Sequence, residues 1–504
     1  MRSRVLHLLI LALVLAGCRP ATPAPVPTPV PTENAEPPTM SEAPWSDRSV
    51  FESGLPESQQ AVLEGLPGAS VYHLDLTIAS DLQTVDGAEE IFYTNTETTP
   101  LEQVGIHLFP NLLGGEMTLS TLRVDGVDVE PAYGAGDGSL MVPLAPALEP
   151  GATTVLQIDF RVRLPQDLQL NYGVLAATSG VIAYAHGYPM VAVYDSDGWN
   201  VDLPPRYGDI TYADASFYLV RVRAPADLVL CGSGVQISHS ESNGQQEATL
   251  AVGPARDFYL AGSREYQLIT RTSGETTIRT CAPSGTSEVA ERILDISEAS
   301  LEAFSRWYAP YPYTKLDIIA TPNLALGIEY PGAFALNQLL LTPDEDFGGT
   351  PEAVLLESVT VHEAAHAWFY NLVGNDQLED PWLDEAMAQY ATLQYYADRY
   401  GTAGASGLRE SFYGRWDLVG REAIPIGKPV AEYDEAEYGA IVYGRGPLFF
   451  DALHDRMGEA GFNSFLRKYT AAFSWEEATP QDLQQIAEAE CGCDLDDLFD
   501  AWVY

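Results

Sequence analysis

The residues with the clearest chemistry are two histidines and a glutamate in the stretch HEAAH at residues 362–366. Histidines four positions apart lie on one face of an α-helix, so His362 and His366 can both reach a single metal ion. Glu363 stands between them, where a carboxylate can take a proton from water and later deliver it to a leaving amine. Two ordinary core or surface histidines could share this spacing, but the chain has only 8 histidines, so a chance match to the motif is rare.

A third ligand is available from Glu385. This residue lies in the first turn of a second predicted helix, after a gap that lets a neighbouring helix bring a carboxylate to the two imidazoles. Two histidines and one glutamate suit zinc and leave one coordination position open, as in catalytic zinc sites. The sequence therefore predicts one zinc ion held by His362, His366 and Glu385, with Glu363 as general base.

Two helices must position these residues, and both have recognisable ends. Thr350 can cap the first helix with Pro351 at its first position, and Gly374 follows its predicted end. The second helix is predicted over about 382–401. Both belong to the same half of the chain, so the predicted chemistry is concentrated there.

The first half of the chain has a different pattern, in which apolar and polar residues alternate from about 70 to 268. Such alternation predicts strands of a sheet with one buried face. After about residue 266, short strand patterns surround a long helical stretch at 287–307. We predict an α+β fold with two domains, an antiparallel β-sandwich or saddle at 66–266 and a mostly helical catalytic domain with a small sheet at 267–504.

Composition limits the classes of partner. Hydrophobic residues make up 46% of the chain and charged residues 19%, which is enough apolar material for a packed core. The formal net charge is -45, from 71 acidic and 26 basic side chains, which argues against a nucleic-acid partner. The acidity fits either selection for solubility or adaptation to a salty habitat.

The amino terminus has the features of an export signal over residues 1–17. Arg2 and Arg4 precede an apolar stretch that is too short to span a bilayer. The sequence LAGC that ends at Cys18 resembles the lipobox of bacterial lipoproteins, in which the cysteine is acylated; an ordinary cleaved signal is the alternative. Residues 18–50 are rich in proline and predict an extended tether, so we expect the protein outside the cytoplasm, attached to a bacterial membrane by lipid.

Four further cysteines would then meet an oxidising compartment, where disulfides are permitted. Their pairing cannot be fixed from the sequence. None has the paired spacing of a zinc ribbon, so structural cystine or simple burial is expected. These residues are Cys231, Cys281, Cys491 and Cys493.

The HEAAH stretch and the sequence WLDEA at residues 382–386 together resemble the membrane alanyl aminopeptidase family of gluzincins, peptidase family M1, which carries a second glutamate in a WLNEG-type motif downstream of HExxH. The resemblance covers most of the mature chain, without the large helical carboxy-terminal domain of bigger members. It implies a thermolysin-like catalytic domain and peptides as substrates.

The resemblance also implies roles for residues outside the two helices. Glu329 lies in the sequence GIEYPG, which is similar to the family's GxMEN-type edge strand and would grip the substrate's amino terminus. Tyr443 lies in the sequence YGRG, which is similar to the YxKG motif and would stabilise the oxyanion. Tyr438 is a candidate for lining the substrate pocket.

This chain departs from the family pattern at three points. Tyr330 stands where the edge-strand motif has asparagine, and Arg445 stands where the YxKG motif has lysine. The segment that supplies a second amine-binding group is not recognisable around residues 187–200. A second anchor for the substrate amine is therefore unassigned.

The predicted function is a zinc metallopeptidase that acts as an aminopeptidase, with metal-activated water attacking the first peptide bond. One alternative is an endopeptidase, or another hydrolase, on the same zinc site. A surface binding protein that kept the fold and lost turnover is the other alternative, although the intact HEAAH stretch, Glu385 and Tyr443 argue against it.

Overall fold

The computed structural model describes residues 45–504 except 206, 343–345 and 348–349, and describes only the backbone of 346–347. The predicted signal, Cys18 and most of the predicted tether lie outside these residues. Strands dominate the described chain up to residue 263. They are β1 Val71–Ile78, β2 Thr84–Thr94, β3 Leu101–His107, β4 Glu116–Val124, β5 Val127–Asp128, β6 Ala132–Tyr133, β7 Ser139–Leu148, β8 Thr153–Arg163, β9 Leu175–Thr178, β10 Val181–Ala185, β11 Met190–Val191, β12 Tyr194–Asp195, β13 Gly198–Trp199, β14 Ser216–Pro225, β15 Val229–Gly232, β16 Val235–Ser242, β17 Gln245–Ala255 and β18 Tyr259–Ser263.

These strands form one eight-stranded sheet in the order β16-β17-β14-β1-β2-β8-β4-β5, two four-stranded sheets in the orders β15-β18-β10-β9 and β11-β3-β7-β6, and the separate pair β12-β13. The described pairs in the large sheet are antiparallel except β1 with β14, which run parallel. Leu74 and Leu76 of β1 are fully buried, as their alternating pattern predicts. The prediction of a strand-rich first part is confirmed.

The second part of the chain combines a five-stranded sheet with helices. The sheet has the order β19-β20-β21-β23-β22, so β22 is an edge strand. Its strands are β19 Tyr266–Ser273, β20 Thr276–Pro283, β21 Lys315–Thr321, β22 Gly327–Tyr330 and β23 Ala333–Asn337, followed by the short pair β24 Asp346–Phe347 and β25 Thr350–Pro351. The described α-helices are α1 Val62–Gly65, α2 Ser287–Trp307, α3 Glu352–Ala365, α4 Trp382–Trp416, α5 Glu435–Ala440, α6 Gly446–Ala472, α7 Pro480–Cys491 and α8 Asp496–Trp502.

The two parts belong to one compact unit that extends over residues 39–504. Their predicted boundary, between residues 266 and 267, falls at the start of β19. A disulfide between Cys231 of β15 and Cys281 of β20 joins the two parts, and a second one joins Cys491 and Cys493 at the end of α7. Within the described residues, no helix combines the length and apolar character that a membrane span requires.

The predicted end of the first metal-site helix was wrong. Helix α3 ends at Ala365 rather than near Gly374, and the chain then turns back, with the backbone N–H of Asn371 bonded to the carbonyl of His366 at 3.1 Å. Contacts made by distant residues fix this turn, because Arg256 donates to the carbonyl of Asn371 at 3.1 Å. Tertiary contacts therefore override the local helical pattern.

The predicted second metal-site helix, over about 382–401, agrees with the structure. Helix α4 has a break at Gly401, where glycine adopts φ 63° and ψ -156°, and a second helical stretch then follows to Trp416. Glycine tolerates this left-handed backbone at little steric cost. The continuation brings a second stretch of helix, with Arg415 near its end, to the region of the predicted zinc site.

Candidate metal centre

The three predicted ligands come together at the junction of α3 and α4. His362 Nε2 and His366 Nε2 are 3.2 Å apart. Glu385 Oε2 lies 3.1 Å from His362 Nε2 and 3.6 Å from His366 Nε2. All three side chains are buried, and Glu385 comes from the first turn of α4 as predicted.

These separations fit a tetrahedral zinc site. Ligand atoms about 2.0–2.1 Å from a common zinc ion would be about 3.3 Å from one another. The observed distances of 3.1–3.6 Å between the ligand atoms lie close to that value. His366 Nδ1 bonds the carbonyl of Phe369 at 2.9 Å, which orients Nε2 toward the shared point. The donor set therefore fits zinc.

The electrostatics of two of the three groups match that geometry. Burial works against ionisation of Glu385, but hydrogen bonds from His362 and His366 outweigh it and hold the pKa of Glu385 well below its usual value. Burial likewise lowers the pKa of His362 and so favours the neutral imidazole that a metal requires. At His366, burial disfavours the protonated imidazole, but the carboxylates of Glu329 and Glu385 outweigh burial and raise the pKa.

Glu363 lines the same cavity, on the face next to the edge strand β22. The carboxylate packs directly against Gly327, where a built Cβ atom would lie 2.3 Å from Glu363 Oε1. Burial raises the pKa of the Glu363 carboxyl well above its ordinary value. A buried carboxylate beside a metal position has the character of a general base.

Glu329 lies on β22, the edge strand that the motif predicts. The side chain is buried, accepts a hydrogen bond from Gln377 Nε2 at 3.2 Å, and lies 3.9 Å from His366 Nδ1. Gln377 in turn donates to Asp384 Oδ2 at 2.6 Å, so the amide holds Glu329 in a fixed orientation beside the metal centre.

Tyr443 lies in one turn of π-helix at Ile441–Arg445, between α5 and α6. Such turns occur often at functional sites. The Tyr443 hydroxyl donates to Glu385 Oε1 at 2.5 Å, which places it at the metal centre. The predicted oxyanion donor is therefore within reach of the site.

A cavity of about 310 Å³ contains Glu363, Glu329 and Tyr443 together with two of the three predicted ligands. A second cavity of about 490 Å³ adjoins it, and Glu329 and Asp209 line both. The metal centre thus opens into a cleft that consists of these two cavities. Glu329 and Asp209 lie where the two cavities meet.

Comparison with known proteins agrees with this geometry. Residues 292–502 match the family model for the peptidase family M1 domain. These residues are thus similar to peptidase M1 domains, and we call them the M1 domain. The chain is 24% identical over 445 residues to aminopeptidase 2 of Candida albicans, covering 85% of this chain and 46% of that protein. It is 26% identical over 283 residues to the puromycin-sensitive aminopeptidase of Caenorhabditis elegans, covering 52% of this chain and 29% of that one.

The chain thus spans less than half the length of these curated relatives. Among solved structures it is similar to an M1 zinc metallopeptidase from Deinococcus radiodurans, with a TM-score of 0.64 and 21% identity over 86% of this chain and 93% of that one. At this identity the likeness shows the fold, in which a mostly helical domain with a small sheet follows a strand-rich domain.

Two departures from the motifs have structural explanations in the M1 domain. The Tyr330 ring stacks on Tyr259, with centroids 3.8 Å apart, and also lines the second cavity. Arg445 points away from the metal centre and donates to the carbonyls of Trp502 and Ala501 at 2.6 and 2.7 Å. Arg445 therefore anchors the Tyr443 turn to the carboxy-terminal helix.

Tyr438 is not among the described residues that line either cavity. The side chain is buried, and its ring packs edge-on against Tyr443 with centroids 5.7 Å apart. The structure thus gives Tyr438 a supporting position behind Tyr443, in place of the pocket-lining position predicted for it.

Sequence reasoning missed Asp209 of the strand-rich part, which lies across the cleft from the M1 domain. Burial, together with the charges of Glu329 and Glu385, raises the pKa of Asp209 well above its usual value. Asp209 follows the region 187–200 where a second amine anchor was sought. The sequence around Asp209 carries no chemical motif. The chain turns just before it, at Gly208, where φ is 83°.

Proposed function

We propose that this chain is a zinc-dependent aminopeptidase that removes residues from the amino terminus of peptides. The observation that carries the proposal is the meeting of His362, His366 and Glu385 at tetrahedral spacing in a cleft that also holds Glu363 and Glu329. The aminopeptidase relatives support the same activity.

The residues around the centre divide the work of hydrolysis. Zinc bound there would polarise the scissile carbonyl and acidify a water molecule. Glu363 takes the proton from the attacking water and gives it to the leaving amine. The Tyr443 hydroxyl donates a hydrogen bond to the oxygen on which negative charge develops, a contribution typically worth about 3–4 kcal/mol.

The substrate amine is held on the side of the centre where carboxylates cluster. Glu329 is fixed by Gln377, and Asp209 lies near it on the opposite wall. A free ammonium between two carboxylates donates hydrogen bonds to both and pairs with their charge, whereas an internal peptide nitrogen carries no charge and has a single N–H to donate. Asp209 is therefore our candidate for the second amine anchor.

Blocking the substrate amine tests the exopeptidase assignment. We expect fluorogenic alanine amides to be hydrolysed at least about 100-fold faster than their N-acetyl counterparts. Glu329→Gln should shrink that ratio, whereas the exposed Glu379→Gln should leave it intact. Equal cleavage of free and acetylated substrates by the wild-type protein would make the enzyme an endopeptidase instead.

We also propose that the protein is lipid-anchored at Cys18 on the outer side of a bacterial membrane. The LAGC sequence and the proline-rich stretch support this proposal. The disulfides Cys231–Cys281 and Cys491–Cys493 fit an oxidising compartment. The full chain should fractionate with membranes and Cys18→Ser should not; membrane association of both would exclude acylation at Cys18 as the anchor.

A further inference from the structure

Among the described residues of the cleft, one basic side chain lies outside the metal centre. Among the described residues that line the 310 Å³ cavity, Arg415 is the only lysine or arginine, and the described lining of the 490 Å³ cavity contains neither. The whole chain has 26 basic side chains against 71 acidic ones. A cation beside the active centre of so acidic a protein is expected to bind an anionic group.

Arg415 has no carboxylate partner among the described residues within 4.0 Å. Among the described residues, its hydrogen bond runs from Nη1 to the carbonyl of Tyr443 at 3.1 Å. By contrast, Arg409 on the same helix forms a two-pronged pair with Asp451, and Arg421 pairs with Asp417. The charge of Glu385 acts on Arg415 from beyond 4.0 Å, without forming an ion pair. A partly buried guanidinium without a paired anion is costly, so this one is suited to receive an anion from a ligand.

The position of Arg415 in the cleft indicates which part of a peptide it meets. Glu329 and Asp209 stand where the two cavities join, and Arg415 lines only the cavity that holds the metal centre. It shares that cavity with Leu355 and Ser358 of α3, which do not line the other one. A peptide with its amine at Glu329 and its first carbonyl at the metal centre therefore extends toward Arg415.

The fold holds Arg415 close to Tyr443. A built Cβ atom on Gly444 would lie 3.0 Å from both Arg415 Cβ and the carbonyl of Phe412. The turn that carries Tyr443 thus packs directly on the continuation of α4. Because of this contact, packing sets the distance between the guanidinium and the metal centre. A fixed distance allows Arg415 to select substrates by their length.

We propose that Arg415 binds the carboxy-terminal carboxylate of short peptides, which makes free-acid di- or tripeptides the preferred substrates. The proposal rests on the aminopeptidase function proposed above. A guanidinium presents two parallel N–H groups that match a carboxylate, and both charges would be shielded from water in the cleft. Peptides that end in an amide offer no anion to this group.

The test compares peptides that differ only at the carboxy terminus. For Ala-Ala or Ala-Ala-Ala, whichever fits the spacing, we expect kcat/KM for the free acid to exceed that for the amide by about 10- to 100-fold, mainly through KM. Arg415→Gln should bring the ratio close to one, and Arg415→Lys should restore part of it. The exposed Arg421→Gln serves as the matched control, with thermal melting as the check on folding.

Binding measured by calorimetry in a Glu363→Gln background keeps this test separate from the proposed function. Free-acid peptides should bind more tightly than their amides, and Arg415→Gln should abolish the difference, whether or not the wild-type protein hydrolyses them. A wild-type protein that binds acid and amide equally overturns the proposal. So does an Arg415→Gln variant that lowers kcat on both peptides and keeps their ratio, because Arg415 would then position Tyr443.

Discussion

The two walls of the cleft are built differently. On the M1 side, a connected set of hydrogen-bonding groups is carried by α3, its carboxy-terminal cap, α4 and the π-helical turn. It consists of the buried His362, His366 and Glu385 and the half-buried Tyr443. On the opposite side, the strand-rich part supplies Asp209 from a turn between strands.

This difference corresponds to two tasks: the helices carry the groups that take part in catalysis, and the loop carries a group that binds substrate. Groups that must meet within about 3 Å are carried by packed helices, where a small displacement is costly. A group that only has to attract a substrate amine can be carried by a loop. Changes on the M1 wall should therefore affect turnover most strongly, and changes on the opposite wall should affect mainly substrate binding.

The largest effect is expected from Glu363→Gln. The substitution keeps the size of the side chain and removes the proton acceptor, so kcat should fall by about 10²- to 10⁴-fold with zinc content unchanged. Steady-state kinetics and metal analysis on the same preparation provide the measurement. The exposed Glu410→Gln on α4 is the control. Substantial turnover by Glu363→Gln would remove Glu363 from the mechanism.

A smaller loss of kcat is expected from Gly327→Ala, because the new methyl group on the edge strand would collide with Glu363. The added methyl would lie 2.3 Å from Glu363 Oε1 and must displace the carboxylate. A displacement of about 1 Å can cost about 10²-fold in rate, so kcat should drop while the melting temperature changes little. In contrast, Gly407→Ala on α4 meets no atom within 4 Å and should leave kcat unchanged. Equal kcat values in the two variants would show that β22 does not position the base.

The smallest effect is expected on the opposite wall. Asp209→Asn removes one of two carboxylates near the substrate amine, so KM for free-amine substrates should rise by about tenfold with less change in kcat. The exposed Asp202→Asn is the matched comparison. A loss of kcat as large as that of Glu363→Gln would contradict the division between the walls.

The residues of the M1 wall could be predicted because their spacing is local. The separation of His362 and His366 follows from the pitch of one helix, and Glu385 follows from the next helix in the chain. Their meeting at 3.1–3.6 Å agrees with that reasoning. The helix Ser287–Trp307 was also recognisable, because it depends on a short-range pattern, whereas the edge strand at Glu329 was predicted only through the family resemblance.

The end of α3 and the positions of Asp209 and Arg415 depended on contacts between residues that are distant in the sequence. Helix α3 ends early because Arg256, more than a hundred positions away, bonds Asn371. Asp209 and Arg415 lack any motif, since the fold alone brings them to the cleft.

The metal content of the purified protein tests the central claim most directly. Elemental analysis after dialysis should find one zinc ion per wild-type chain and none in His362→Ala or Glu385→Gln, with thermal melting confirming that both variants fold. His239→Ala, which changes a histidine outside the centre, should keep its zinc. Stoichiometric zinc in folded His362→Ala and Glu385→Gln would show that these side chains do not form the metal site.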